Sequence, residues 1–423
     1  MSPAIMELNT TQANGDADRS REEQSLTFLQ MHNVPLSPGG ADTVLDNEAE
    51  MLRLHGHRVV RYTISNDELA GMSKRQILQS ALWNRRAVRE VREMIAAQRP
   101  DVVHVHNTFP IMSPAVLRAA HQCGVPVLMT LHSYRLSCLN GLLYREGAIC
   151  EKCVGKTLSL PGIARGCYKE SRLASSVIAG ALALHRTIGT YRRHVDAYLA
   201  LSPFARQVLV RSGYPAERIH IKPNFVHPAA GQSDGGGGYA LFVGRLTPEK
   251  GAATVIRAWR KIGSRLPIKF VGDGPLRGEL QREAATADGV EFLGWKSKDE
   301  VADLLQRAKV VVFPSQWYEG LPMVILEAFS AGVPVVASDV GNFTDVIRPQ
   351  ATGLHFRTGD ADDLAAQIEW LLANPTEFAA MGRQCHAEYL EKYCPEANYA
   401  LYMQIVRQAC QSRSHTQSAQ SNT

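Results

Sequence analysis

Several small groups of side chains in this 423-residue chain could do chemistry. Glu319 and Glu327 stand with seven residues between them in the stretch FPSQWYEGLPMVILEAFSAGVPVVAS, residues 313–338. Carboxylates so placed accept hydrogen bonds from sugar or ribose hydroxyls; the same spacing also suits one surface loop acid and one ordinary helix acid. Arg245 and Lys250 lie five residues apart in GRLTPEKG. A guanidinium fork and an ammonium point charge can together hold a diphosphate, or both are solvated surface bases. The Gly39-Gly40 pair lets backbone approach a phosphate at a helix start, or makes a plain tight turn. Cys138, Cys150, Cys153 and Cys167 could close a tetrahedral zinc site and staple a loop with little core of its own. The alternative is four independent buried or free thiols.

Open parallel sheets would bring such groups together. Val310 to Phe313 is an apolar run of the buried-strand kind, Pro322 suits the first turn of a helix, Gly332 suits its end, and Pro334 to Ala337 is another buried strand. Glu319 then lies in a loop at a strand's carboxyl end and Glu327 about a turn and a half into the helix, so both border one crevice. Leu26 to Met31, His57 to Tyr62, Asp101 to His106, Val125 to Leu131, Ala197 to Leu201 and Ile219 to Lys222 read as strands of a first sheet, with residues 32–40 as a loop. His104 and His106 share one face of their strand, which is expected to leave at least one of them beyond the core or at the strand's end. His132 follows a strand at the carboxyl end, where ligands of open sheets collect, although a lone histidine there is also a common structural residue. Tyr239 to Val243, Ile268 to Gly274, Val290 to Gly294 and Leu354 to Phe356 read as parts of a second sheet. Helices follow at 362–372 and 377–389, and the amphipathic segment Pro395 to Ala409 comes last.

A chain of this length exceeds one comfortable core, and the glycine-rich stretch 227–238 is its best linker. The domains are therefore expected at 25–226, with a cysteine insert at 137–169, and at 239–394. A helix at 395–410 follows the second, and a disordered arm (1–24) and tail (411–423) flank the whole. Hydrophobic residues make up 45% and charged residues 21%, the balance of a soluble globular enzyme. A formal charge of +5 is too small to argue for nucleic acid, but favours an anionic donor or transient docking on an anionic membrane face. With no long apolar run and no signal-peptide core, the expected location is the cytoplasm, possibly peripheral on the membrane's cytoplasmic face, where cysteines argue for metal or free thiols. The dinucleotide fingerprint is absent, so a nicotinamide cofactor is not supported.

EGLPMVILEAFSAGVPVVAS resembles the donor-site signature of the retaining family four glycosyltransferases with the GT-B fold, and GRLTPEKG resembles their donor-pyrophosphate loop. Thr130-Leu131-His132 resembles the place where these enzymes carry a histidine close to the donor sugar, and Pro223 to Val226 their exit from the first domain. The resemblance implies an α/β protein of two Rossmann-like domains facing across a cleft, with the final helix crossing back to the first domain. It implies transfer of a sugar from a nucleotide-sugar donor to a hydroxyl with retention, on a saccharide or lipid-linked acceptor by analogy. Arg245 and Lys250 would stabilise the leaving diphosphate without a catalytic metal, Glu319 would orient the sugar, and Glu327 would contact the ribose. His132 would line the sugar face or share in moving the acceptor proton, and Gly39, Gly40, Gly272, Gly320 and Leu321 would shape the donor site. The same residues are compatible with a nucleotide-sugar epimerase or hydrolase, or with a catalytically silent sugar-nucleotide-binding subunit.

Overall fold

The computed structural model describes residues 25–421 apart from 37, 38, 228, 230, 232 and 234–237. The expected N-terminal arm, Ser37 and Pro38 of the first loop, much of the glycine-rich linker and the last two residues lie outside the described residues. The first half contains β1 (Thr27–Val34), β2 (Arg58–Ser65), β3 (Val102–Asn107), β4 (Val127–Leu131), a small hairpin of β5 (Tyr144–Arg145) and β6 (Ala148–Ile149), β7 (Ala197–Ala200) and β8 (Ile219–Ile221). The second contains β9 (Tyr239–Val243), β10 (Ile268–Val271), β11 (Val290–Gly294), β12 (Ala308–Phe313), β13 (Val335–Ser338) and β14 (Gly353–Phe356).

These strands form two six-stranded sheets, ordered β2-β1-β3-β4-β7-β8 and β11-β10-β9-β12-β13-β14. Their pairings are parallel, which matches runs such as Val310 to Phe313 and Val335 to Ala337 that are buried on both faces. In each sheet the order reverses once, between β1 and β3 and between β9 and β12, and the loops at the strands' carboxyl ends open a crevice there. Most of the candidate side chains sit on those loops.

The helix Pro395–Ser421 returns to the first half and packs Tyr402, Met403, Ile405, Val406 and Ala409 against Phe28, Leu52, Val102, Leu128 and Leu199. Its run to Ser421 corrects the expectation of a helix ending at Cys410. Residues 411–421 contain no proline or glycine to stop a helix already propagated from a packed segment. β1 is also longer than expected: His32, Asn33 and Val34 pair with Thr63, Ile64 and Ser65 of β2, so the loop begins only at Pro35.

On β3 both His104 and His106 are buried, at 0% and 3% exposure, so neither lies beyond the core, while His106 stands one residue before the strand's carboxyl end and lines the cavity there. A carboxylate from a neighbouring helix, Glu48, lies close to both rings and makes the polar face of this strand tolerable.

Candidate active site between the two sheets

On the side of the second sheet, three loops interlock through glycines. The loop after β9 carries Arg245 and a short turn Pro248–Lys250 that ends on Gly251, at φ +70°. A β-carbon on Gly251 would lie 2.0 Å from the carbonyl oxygen of Pro314, in the loop after β12. Gly272, at φ +126° after β10, is equally confined: its β-carbon would fall 2.0 Å from the carbonyl oxygen of Gly244. These contacts set the Lys250 loop directly against the Glu319 loop.

There Lys250 Nζ lies 2.6 Å from Glu319 Oε1, and Ser315 Oγ donates to the same oxygen at 2.7 Å. The ammonium also stands over the rings of Trp317 and Phe313, at 5.7 and 5.8 Å from their centroids. Glu319 is buried; Lys250 is only partly so. Arg245 is exposed and has no ion-pair partner among the described residues, which leaves its guanidinium for a ligand.

Glu327 lies on the helix Met323–Ser330, which follows that loop. Burial raises its carboxyl above the ordinary range, and Lys298 acts in the opposite direction. The backbone of Gly320 and Leu321 is held by side chains from both halves: Asn342 Nδ2 donates to the Gly320 carbonyl at 2.5 Å, and Asn224 Nδ2 to that of Leu321 at 2.9 Å. A side chain at Gly320 would come within 3.0 Å of the His132 carbonyl oxygen, so the two halves touch at this glycine.

On the side of the first sheet, the helix Gly40–Leu54 begins opposite Met323, whose Cγ is 4.0 Å from a β-carbon built on Gly40. The starts of two helices therefore approach one another across the crevice. Gly39 N–H already donates to Asp42 Oδ2 at 2.8 Å, and Asp42 Oδ1 lies 3.0 Å from His32 Nε2. That carboxylate uses part of what a phosphate would use, so Gly39 is less free than its sequence context suggests.

His132, at the end of β4, lines a cavity of about 330 Å³ with His32, Pro35, Asn107 and Tyr168. Its Nε2 is 2.9 Å from His106 Nδ1, and the rings stack. Burial, with the neighbouring His106 and His32, holds His132 well below the ordinary histidine value. Burial and His104 similarly bring His106 down to about 3. Both rings are therefore neutral near pH 7.

The segment between His132 and the cysteine insert reaches the same place. Tyr134 Oη–H donates to the Glu319 carbonyl at 3.1 Å, and Tyr134, Phe204 and Tyr318 pack edge to face. Cys138, Cys150, Cys153 and Cys167 line one small cavity, but among the described residues no three of their thiols come within 4.8 Å of one another. Arg145 Nη1 lies 3.1 Å from Cys167 Sγ, and Cys138 Sγ faces Asn140 Oδ1 at 2.9 Å. The insert thus gathers the four cysteines without bringing them to ligand distance.

Of the expected residues, the structure brings Lys250, Glu319, Gly320, Leu321 and His132 to one place, with Arg245 and Gly272 on adjoining loops. Sequence reasoning missed Ser315, Tyr134, His106 and Glu48. Glu48 alone left a usable signal: it falls on the stripe of Val44, Leu45, Met51 and Leu52 that the helix buries.

Two Rossmann-like domains with parallel sheets, meeting at a crevice that holds an acid-base pair and glycine-pinned loops, define a GT-B glycosyltransferase architecture. Residues 38–230 match Glycosyltransferase Family 4 and residues 226–386 match Glycosyl transferases group 1, so the chain belongs to the family 4 glycosyltransferases. It is 27% identical over 360 residues to a phosphatidyl-myo-inositol mannosyltransferase of Mycolicibacterium smegmatis, covering 79% of this chain and 81% of that one. It is also 27% identical over 299 residues to a D-inositol 3-phosphate glycosyltransferase of Rhodococcus erythropolis, covering 67% of this chain and 63% of the relative. Matches to three of the curated relatives span 35%, 63% and 55% of their length. Among solved structures, Anabaena HepE in complex with UDP superposes with a TM-score of 0.60 at 16% identity, covering 93% of this chain and 100% of that one. No helix among the described residues is long and apolar enough to cross a membrane.

Proposed function

We propose that this protein transfers a sugar from a nucleotide-sugar donor to a hydroxyl of a saccharide or lipid-linked acceptor, with retention at the anomeric carbon. The observation that carries the reading is the contact of Lys250 Nζ with Glu319 Oε1 at 2.6 Å, near an exposed Arg245 that has no ion-pair partner among the described residues. In this arrangement Glu319 fixes the ammonium and presents its remaining acceptor capacity to sugar hydroxyls. Arg245 and Lys250 meet the charge that develops on the diphosphate as its bond to the anomeric carbon breaks, a preorganised electrostatic role that needs no divalent ion. The electron pair stays with the diphosphate oxygen, the acceptor oxygen bonds to the same face of the sugar, and the acceptor proton passes to the departing phosphate. Glu327, whose raised carboxyl retains hydrogen-bonding capacity inside the fold, contacts the ribose.

Acceptor-dependent release of nucleoside diphosphate from a panel of nucleotide sugars tests the reading. Release without acceptor identifies a hydrolase, and nucleotide binding without turnover identifies a silent binding subunit. Retention of configuration is read from the product's anomeric NMR signals. The relative's name as a phosphatidyl-myo-inositol mannosyltransferase supports a lipid-linked acceptor, and with it peripheral work at the cytoplasmic face of a membrane.

We also propose that Cys138, Cys150, Cys153 and Cys167 hold one structural zinc ion. Four sulfur ligands around one cavity in a segment with little secondary structure fit such a closed site, which needs sulfur–metal distances near 2.3 Å and therefore a contraction of this cavity. With all four positions filled, the metal would order the insert over the cleft and take no part in the transfer.

A further inference from the structure

We propose that Glu48 is a positioning residue for His132: acting through His106, it fixes His132 in the tautomer that carries its proton on Nε2 and leaves the Nδ1 lone pair for the cleft. The use of that lone pair, to accept a hydrogen bond from a hydroxyl of the bound sugar, rests on the reading of His132 given above.

Glu48 is 0% exposed on the helix Gly40–Leu54. Its Oε1 lies 2.7 Å from His104 Nδ1, 3.4 Å from His106 Nε2 and 3.4 Å from Gln30 Nε2; its Oε2 lies 3.0 Å from Lys222 Nζ. Lys222, 3% exposed, stands over the rings of Tyr402 and Phe225. Burial of the acid favours its neutral form, but His104 and Lys222 outweigh it and hold the carboxyl well below the ordinary range. Glu48 therefore stays ionised. Glu48, His104 and His106 are close enough to share a metal ion. Lys222 already supplies a cation there, and a second positive charge would meet it at close range in a buried site.

The protons follow from this. His106 Nε2 makes no hydrogen bond among the described residues, but it lies 3.4 Å from the Glu48 carboxylate, whose negative charge favours the tautomer with the proton on that nitrogen. The opposite tautomer would set a lone pair against the carboxylate. His106 is neutral, so its Nδ1 is a lone pair and accepts from His132 Nε2–H across 2.9 Å. His132 is neutral too, so its own Nδ1 is unprotonated, and that atom has no hydrogen-bond partner among the described residues. The other groups around the chain do not disturb this order. Thr130 Oγ1 meets His104 Nε2 at 2.8 Å, Tyr402 Oη meets His104 Nδ1 at 2.8 Å, and His32 stands edge-on to His106 with its pKa lowered by burial.

The test uses the full chain labelled with ¹⁵N-histidine, with long-range ¹H–¹⁵N spectra near pH 7.5 and signals assigned through His106→Asn and His132→Asn. The expected result is the Nε2–H form for both His106 and His132 in the unaltered protein. An Nδ1–H signal for His132 overturns the proposal without any variant having to fold. In Glu48→Leu/Lys222→Met, which removes both buried charges together, the His132 signals should move toward the other tautomer or an average of the two. Unchanged signals in a folded double variant also overturn it. Where the signals move, kcat/KM should fall about tenfold, the worth of one neutral hydrogen bond, with UDP and GDP binding within twofold of the original. Moved signals with unchanged kcat/KM uphold the positioning by Glu48 and sink the sugar-facing role of His132.

Discussion

Lys250 Nζ and Glu319 Oε1 lie 2.6 Å apart although they are 69 positions apart in the chain. The contact joins the loops after β9 and β12, central neighbours in the second sheet, and leaves Arg245 without an ion-pair partner among the described residues. It makes the two cations unequal: Lys250 is part of the structure as well as of the proposed chemistry, while Arg245 is not.

Lys250→Ala is expected to lower turnover about 10²- to 10³-fold, the usual loss for one electrostatic stabiliser. It should also lower stability by about 1–3 kcal/mol, because among the described residues the buried Glu319 carboxylate then keeps only Ser315 as a hydrogen-bond donor. The sequence suggests a loop ammonium with few contacts and hence little effect on folding; the ion pair and the two rings beneath it change that expectation. Steady-state kinetics at saturating acceptor and urea denaturation check the two effects separately.

Arg245→Lys should separate chemistry from folding. The side chain is exposed and has no ion-pair partner among the described residues, so unfolding free energy should change by no more than about 0.5 kcal/mol. Loss of the planar fork should lower kcat/KM at least about tenfold while the charge is kept. Kinetics as in the unaltered protein would remove Arg245 from the diphosphate site.

Gly272→Ala tests the interlocking of the loops. The new methyl group would need the space of the Gly244 carbonyl, 2.0 Å away, at a φ of +126° that L residues rarely adopt. Displacement of the Arg245 loop should weaken nucleoside diphosphate binding, measured by calorimetry, at least about tenfold. Displacing backbone costs more than the roughly 1.4 kcal/mol that this factor represents.

Acid should destabilise the first domain in two overlapping windows. His106 is lowered from 6.5 to about 3, so between those values the unfolded chain binds a proton that the folded one does not, and stability falls as pH falls. Glu48 is held below its ordinary 4.5, so its contribution is present above that pH and is lost as pH drops through the folded value. Each proton steepens the slope by up to about 1.4 kcal/mol per pH unit. Urea denaturation between pH 7 and 4 should show the fall, and Glu48→Leu/Lys222→Met should flatten its acid end. A pH-independent midpoint over this range would contradict the lowered His106, whose window spans it.

Elemental analysis of protein purified without a metal-binding tag should find about one zinc per chain, and Cys150→Ser should open residues 137–169 to proteolysis. Sugar transfer should survive a chelator for minutes, since the proposed zinc is structural and two cations already serve the diphosphate. Absence of zinc, with all four thiols reacting freely with a maleimide in the folded state, excludes the site. Immediate loss of activity that magnesium restores would contradict a metal-independent transfer.

Composition, strand runs and motif spacing made the two sheets legible, because a parallel strand buried on both faces writes itself as a continuous apolar run with a turn residue at its end. Tyr239–Val243 and Val335–Ser338 fall where those runs place them. The glycine turns and the acid and base types at the carboxyl ends of strands were legible for the same local reason. Partnership was not. The lysine of one loop reaches the glutamate of another because β9 and β12 are neighbours in the sheet, a crossover that no local pattern encodes. The alternation of His104 and His106 on one strand face leads to the expectation that at least one lies beyond the core or at the strand's end, and the burial of both depends on Glu48 and Lys222, 174 residues apart in the chain. Local sequence determined which segments become strands and helices through burial periodicity and backbone freedom. The tertiary structure alone decided which charges meet, because a buried charge is tolerated only where the fold delivers its counter-charge.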